Sequence, residues 1–105
     1  MNTPCLELVI FKVKDADKAR IARRAAQETV KHYEGFISWT AYESHDEAGQ
    51  FADVVVWRDL GSAKAAAEKV MKDPGFAALM AEIDGLVSMS HYRADRMVEA
   101  EANAA

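Results

Sequence analysis

The sequence predicts an α+β domain of split βαβ type, in which a four-stranded antiparallel sheet carries helices on one face. Three observations lead there. Apolar periodicity runs strand, helix, strand, strand, helix in two pieces, strand. The two segments that this topology makes central are apolar on both of their sides. The chain, at 105 residues, has the length of one domain.

From Cys5 to Lys14 the chain is rich in Leu, Val, Ile and Phe and reads as a strand, with charges at Glu7, Lys12 and Lys14. Asp15 and Asp17 then offer N-caps for an amphipathic helix from about Asp17 to Tyr33. Its apolar side carries Ile21, Ala22, Ala25, Ala26, Thr29, Val30 and Tyr33, and Gly35 is expected to close it as a left-handed cap. On this reading Lys18, Arg20, Arg23, Arg24, Gln27, Glu28 and Lys31 form the wet side, and the basic run Lys12 to Arg24 is solvated.

Phe36 to Ser44 reads as a second strand, with Ile37, Trp39 and Ala41 on one side and Ser38, Thr40 and Tyr42 on the other. His45 to Gln50 is a polar, glycine-containing hairpin loop leading to a third strand, Phe51 to Arg58. Asp59 or Ser62 can cap a second helix bearing Ala63, Ala66, Ala67, Val70 and Met71. Asp73-Pro74-Gly75 breaks that helix and starts a fresh piece with Phe76, Leu79, Met80 and Ile83 on one stripe. Asp84-Gly85 is expected as a turn and Leu86 to Arg93 as the last strand. Residues 1–93 thus make the single domain, this order being the ferredoxin-like one, and 94–105 an Ala/Glu-rich tail with little to bury.

Composition narrows the function. Half the residues are hydrophobic, 29% are charged and the net charge is −4, so a basic nucleic-acid-binding face is not expected. One cysteine, Cys5, cannot form a disulfide within the chain and reads as a small buried hydrophobe. The N-terminal run lacks the basic lead of a signal peptide and is cut short by Glu7 and Lys12. A cytoplasmic protein with no membrane partner is expected. There is no glycine-rich phosphate loop, dinucleotide fingerprint, Cys-x-x-Cys pair or nucleophile elbow, so no cofactor or metal is expected.

In the first strand Leu6, Leu8 and Ile10 share one parity, and Val9, Phe11 and Val13 the other. In the third, Phe51, Val55 and Trp57 oppose Ala52, Val54 and Val56. Two helices cover one face of such a sheet. The other calls for a second copy packed sheet to sheet, a homodimer.

The runs Val54-Val55-Val56-Trp57-Arg58-Asp59, Asp73-Pro74-Gly75-Phe76 and His32-Tyr33-Glu34-Gly35-Phe36 resemble the dimeric α+β barrel superfamily, and within it the antibiotic-biosynthesis-monooxygenase-like family, over about Leu6 to Tyr92. The resemblance implies a dimeric α+β barrel and one of two functions. One is a cofactor-independent monooxygenase-like enzyme acting on an aromatic or carbonyl metabolite. The other is a non-catalytic homodimeric protein that binds small molecules or responds to stress. The superfamily's haem-degrading branch uses an Asn on the first strand and a His on the helix after the third. No Asn lies between Thr3 and Ala102 and no His between Trp57 and His91, so that activity is not implied.

Five residues are candidates for a site. Trp57, where the resemblance places a pocket wall, and with it Trp39 and Tyr42, would hold an aromatic ligand; Trp57 also suits a core. Asp53 is a carboxylate inside a central apolar strand. It is either paired, with Arg58, Arg93 or a helix lysine, or a general base with a raised pKa. His91 shares parity with Val87 and Met89 and is the candidate proton shuttle beside it. His32 suits a helix C-terminus, and His45, with Asp46 and Glu47, a solvated turn.

Overall fold

In a computed structural model describing residues 3–102, the strands are β1 (Cys5–Val13), β2 (Phe36–Glu43), β3 (Gln50–Trp57) and β4 (Ile83–Tyr92). The helices are α1 (Ala16–Val30), α2 (Leu60–Val70) and α3 (Ala77–Glu82), the last preceded by a 3-10 turn at Pro74–Phe76. The sheet is antiparallel, in the order β2-β3-β1-β4, so β1 and β3 are central as the sequence predicts. No described helix is long and apolar enough to cross a membrane.

Aspartates start the helices. Asp15 accepts from the Lys18 amide at 3.0 Å and Asp59 from the Ser62 amide at 2.7 Å. Asp73 accepts from the Gly75 amide at 2.9 Å and from the Tyr33 hydroxyl at 2.6 Å, which ties the 3-10 turn to the end of α1. Two boundaries differ from expectation. The first helix ends at Val30; Gly35, at φ +80°, instead shapes the entry into β2, packed so closely on Ser62 that a side chain there would collide. Ile83, Asp84 and Gly85 belong to β4, not to a helix and a turn. Gly85 pairs with Lys12, and register shifts on either side of that stretch leave Val87 and Asp84 without partners on β1.

Strand parity divides the molecule. Odd-numbered residues of β1 and β3 face the helices: Phe11 and Phe51 are 1% exposed and meet edge to face at 5.9 Å, beside buried Val55 and Trp57. Even-numbered residues line the opposite face, where Leu6 pairs with Val56, Leu8 with Val54 and Ile10 with Ala52. Those six are only half-buried, and no helix among the described residues lies over them. Ser38, Thr40 and Tyr42 of β2 and Ser88, Ser90 and Tyr92 of β4 flank them by register. Residues 94–102 continue beyond β4 without regular structure; the end of the expected tail, 103–105, lies outside the described residues.

Candidate active site

Between the helix-facing side of the sheet and the helices α2 and α3 lies a cavity of about 290 Å³, near the lower bound for a small-molecule pocket. Val9, Val55 and Trp57 form part of its floor, and Ala66, Val70, Phe76 and Leu79 its cover. The small residues expected as one stripe of α2 leave the space open. Met71, Met80 and Met89 also line it while being 76%, 42% and 44% exposed, which places the mouth among α2, α3 and β4.

Two indoles shape the interior. Trp39 stacks on Phe76, with ring centroids 6.2 Å apart and planes 12° apart. Trp57 rests edge-on against Phe36 at 5.6 Å and donates Nε1–H to Glu7 Oε1 at 2.9 Å. Glu7 shares parity with Val9 and Phe11, which brings this second carboxylate to the same wall.

Asp53 is 5% exposed and lines the cavity. Its partner is none of those expected from sequence. Arg23 of α1, itself 4% exposed, donates from Nη1 to Asp53 Oδ1 at 3.1 Å and to the Tyr42 carbonyl at 3.3 Å. Its guanidinium carbon also lies 4.2 Å above the Phe51 ring. Arg23 therefore belongs to the buried stripe with Ala19, Ala22, Ala26 and Val30, and not to the wet side.

Burial raises the Asp53 pKa above its ordinary value, and that outweighs the lowering by nearby Trp39 and by Arg23; the Glu7 charge adds a smaller upward push. Trp39 Nε1 stands close enough to favour the carboxylate. It does not reach hydrogen-bond geometry, and this buried N–H has no partner among the described residues. The result is a carboxylate with strengthened basicity, held by Arg23 and facing an apolar space beside two indoles. Such a group can remove a proton from a weakly acidic ligand atom.

The structure thus brings together Asp53, Trp39 and Trp57. It does not bring Tyr42 or His91 to them. Tyr42 has the other parity on β2 and is 51% exposed on the far face of the sheet. His91 pairs across β4 with Glu7 but does not line the cavity, and its buried Nε2 has no partner among the described residues. Glu7 and Arg23 are the residues that sequence reasoning missed. Parity with Val9 marks the first, and its place between Ala19 and Ala26 on the helix marks the second. Among the described residues no group of His, Cys, Asp and Glu could hold a metal ion.

Fold and cavity together define a ferredoxin-like α+β domain with an open-mouthed cavity between its helices and its sheet. Solved structures share that fold. SnoaB, a cofactor-independent oxygenase from Streptomyces nogalater, matches with a TM-score of 0.73 at 19% identity, over 91% of this chain and 97% of that one. A proposed antibiotic biosynthesis monooxygenase from Chloroflexus aurantiacus matches at 0.70 and 12% identity, over 92% and 98%. One from Bordetella bronchiseptica matches at 0.71 and 11%, over 89% and 98%. No family sequence model and no curated protein matches the chain. The chain has the fold of the antibiotic-biosynthesis-monooxygenase-like proteins.

Proposed function

We propose that the chain is one subunit of a homodimeric, cofactor-independent oxygenase acting on a small aromatic or carbonyl-bearing metabolite. The observation that carries this reading is Asp53, a buried carboxylate of raised pKa on the wall of an otherwise apolar cavity. Trp39 and Trp57 would flank a ring of the substrate. Asp53 would take a proton from a CH₂ group activated by neighbouring carbonyl or aromatic groups, and the resulting carbanion would add dioxygen. The peroxide anion recovers the proton from Asp53. Loss of water from the hydroperoxide then leaves a ketone, so that R₂CH₂ and O₂ become R₂C=O and H₂O, both electron pairs coming from the C–H bonds. His91, off the cavity wall, has no part in this step.

The uncovered side of the sheet supports the dimer. A second copy on Leu6, Leu8, Ile10, Val54 and Val56 would finish burying them, worth roughly 1 kcal/mol each given their half-buried state. That SnoaB, a solved protein of this fold, is a cofactor-independent oxygenase supports the oxygenase half of the reading.

Oxygen uptake with a panel of phenols, anthrones and dicarbonyls tests it. Asp53→Asn should lower turnover by about 10²–10⁴-fold, the usual contribution of a general base, with the circular dichroism spectrum unchanged. Binding without oxygen uptake would favour the non-catalytic binding protein instead.

A further inference from the structure

Among the described residues, the cavity wall includes two carboxylates and no Lys, Arg or His. They are not equivalent. Asp53 has its charge answered by Arg23 at 3.1 Å. Glu7 has only the Trp57 N–H on Oε1, and among the described residues it has no ion pair and no donor to Oε2.

We infer that Glu7 sets the class of ligand: a neutral aromatic presenting a hydroxyl or other hydrogen-bond donor toward Oε2, with carboxylated and phosphorylated analogues rejected. This rests on the reading of the cavity as a ligand site. An ionised carboxylate only accepts hydrogen bonds, so the ligand must donate. The rest of the wall is almost wholly apolar, which leaves little to screen an anion from Glu7. Like charges about 6 Å apart at an effective dielectric near 20 repel enough to weaken binding by roughly tenfold to a hundredfold. Glu7 is then a specificity-determining residue and Asp53 the base, two carboxylates separated in role by the partner each already holds.

Calorimetric titration of the full chain with a matched pair of two-ring probes, 2-naphthol and 6-hydroxy-2-naphthoate, tests this. The wild-type protein should bind the neutral probe at least about tenfold more tightly than the anion. Glu7→Gln keeps an acceptor for Trp57 Nε1 but loses the charge, and should bring the two affinities within about threefold of each other. Glu7→Asp keeps the charge and should keep the preference. A role confined to holding Trp57 would weaken both probes together and leave their ratio alone. Equal affinities in the wild type, an unchanged ratio in Glu7→Gln, or binding of neither probe would overturn the inference. Selective binding without oxygen uptake on any substrate would instead leave Glu7 in place and remove the oxygenase reading. Preferred turnover of anionic substrates would do the reverse.

Discussion

Replacing Arg23 by Met should be among the most damaging single changes to this fold, and its size can be worked from the structure. The Arg23 and Asp53 side chains are 5% and 8% exposed. Removing the guanidinium deletes the donor to Asp53 at 3.1 Å, the donor to the Tyr42 carbonyl at 3.3 Å and the cation over the Phe51 ring. Breaking one side of a buried pair typically costs about 3–5 kcal/mol, a large part of the roughly 5–15 kcal/mol that holds a domain folded. Part of the cost is avoidable by protonation, which gives the prediction a pH signature. Asp53 binds its proton more tightly in the folded than in the unfolded state. Its contribution is therefore full below the unfolded value and declines as pH rises through the folded one. Arg23→Met removes a lowering influence and moves that decline upward, so the variant should lose the most stability near neutral pH and the least in mild acid. Arg23→Met with Asp53→Leu removes both charges and should return to within about 1 kcal/mol of wild type. Urea unfolding followed by tryptophan emission, at one fixed protein concentration because a dimer's midpoint depends on it, measures all of this. A single-variant cost under about 1 kcal/mol near pH 7, or a double variant as unstable as the sum of its parts, would refute the reasoning.

Other outcomes follow from the same geometry. Leu8→Lys places a charge at the centre of the uncovered sheet face, beside Val54, and should give an 11.6 kDa monomer in sedimentation with its secondary structure intact. A dimer of unchanged affinity would mean that the copies meet elsewhere. Gly75→Ala would drive a Cβ into Thr29 Oγ1 and set it 2.9 Å from Thr29 Cγ2, and should cost about 1–3 kcal/mol in thermal or urea unfolding. Thr29→Ala removes both of those atoms and should recover part of the loss; no recovery would place the clash elsewhere.

The fold was largely legible because strand parity and helix caps are local signals. Alternation in β1 and β3 gave the two faces, and Asp59 and Asp73 announced the starts of α2 and of the 3-10 turn. The end of α1 was not, since the apolar stripe continues to Tyr33 although that side chain is buried beyond the helix, tied to Asp73. Nor was the start of β4, because a bulge makes Asp84-Gly85 look like a turn. Within the site, Asp53 stood out as a charge among valines. Its partner stayed hidden because a charge on an amphipathic helix was assigned to water by residue type, where position alone places Arg23 beside Ala19, Ala22 and Ala26. Tyr42 and His91 were attractive by chemistry, but parity carries Tyr42 to the far face, and His91, though opposite Glu7, does not itself line the cavity.

The carboxyl carbon of Asp53, followed by ¹³C NMR across a pH series and assigned with Asp53→Asn, tests the central claim most directly. A buried base on a ligand cavity should titrate above its ordinary value of 3.8, and the curve should move when 2-naphthol saturates the protein. A carboxyl that titrates at that ordinary value and ignores every aromatic added would contradict the account.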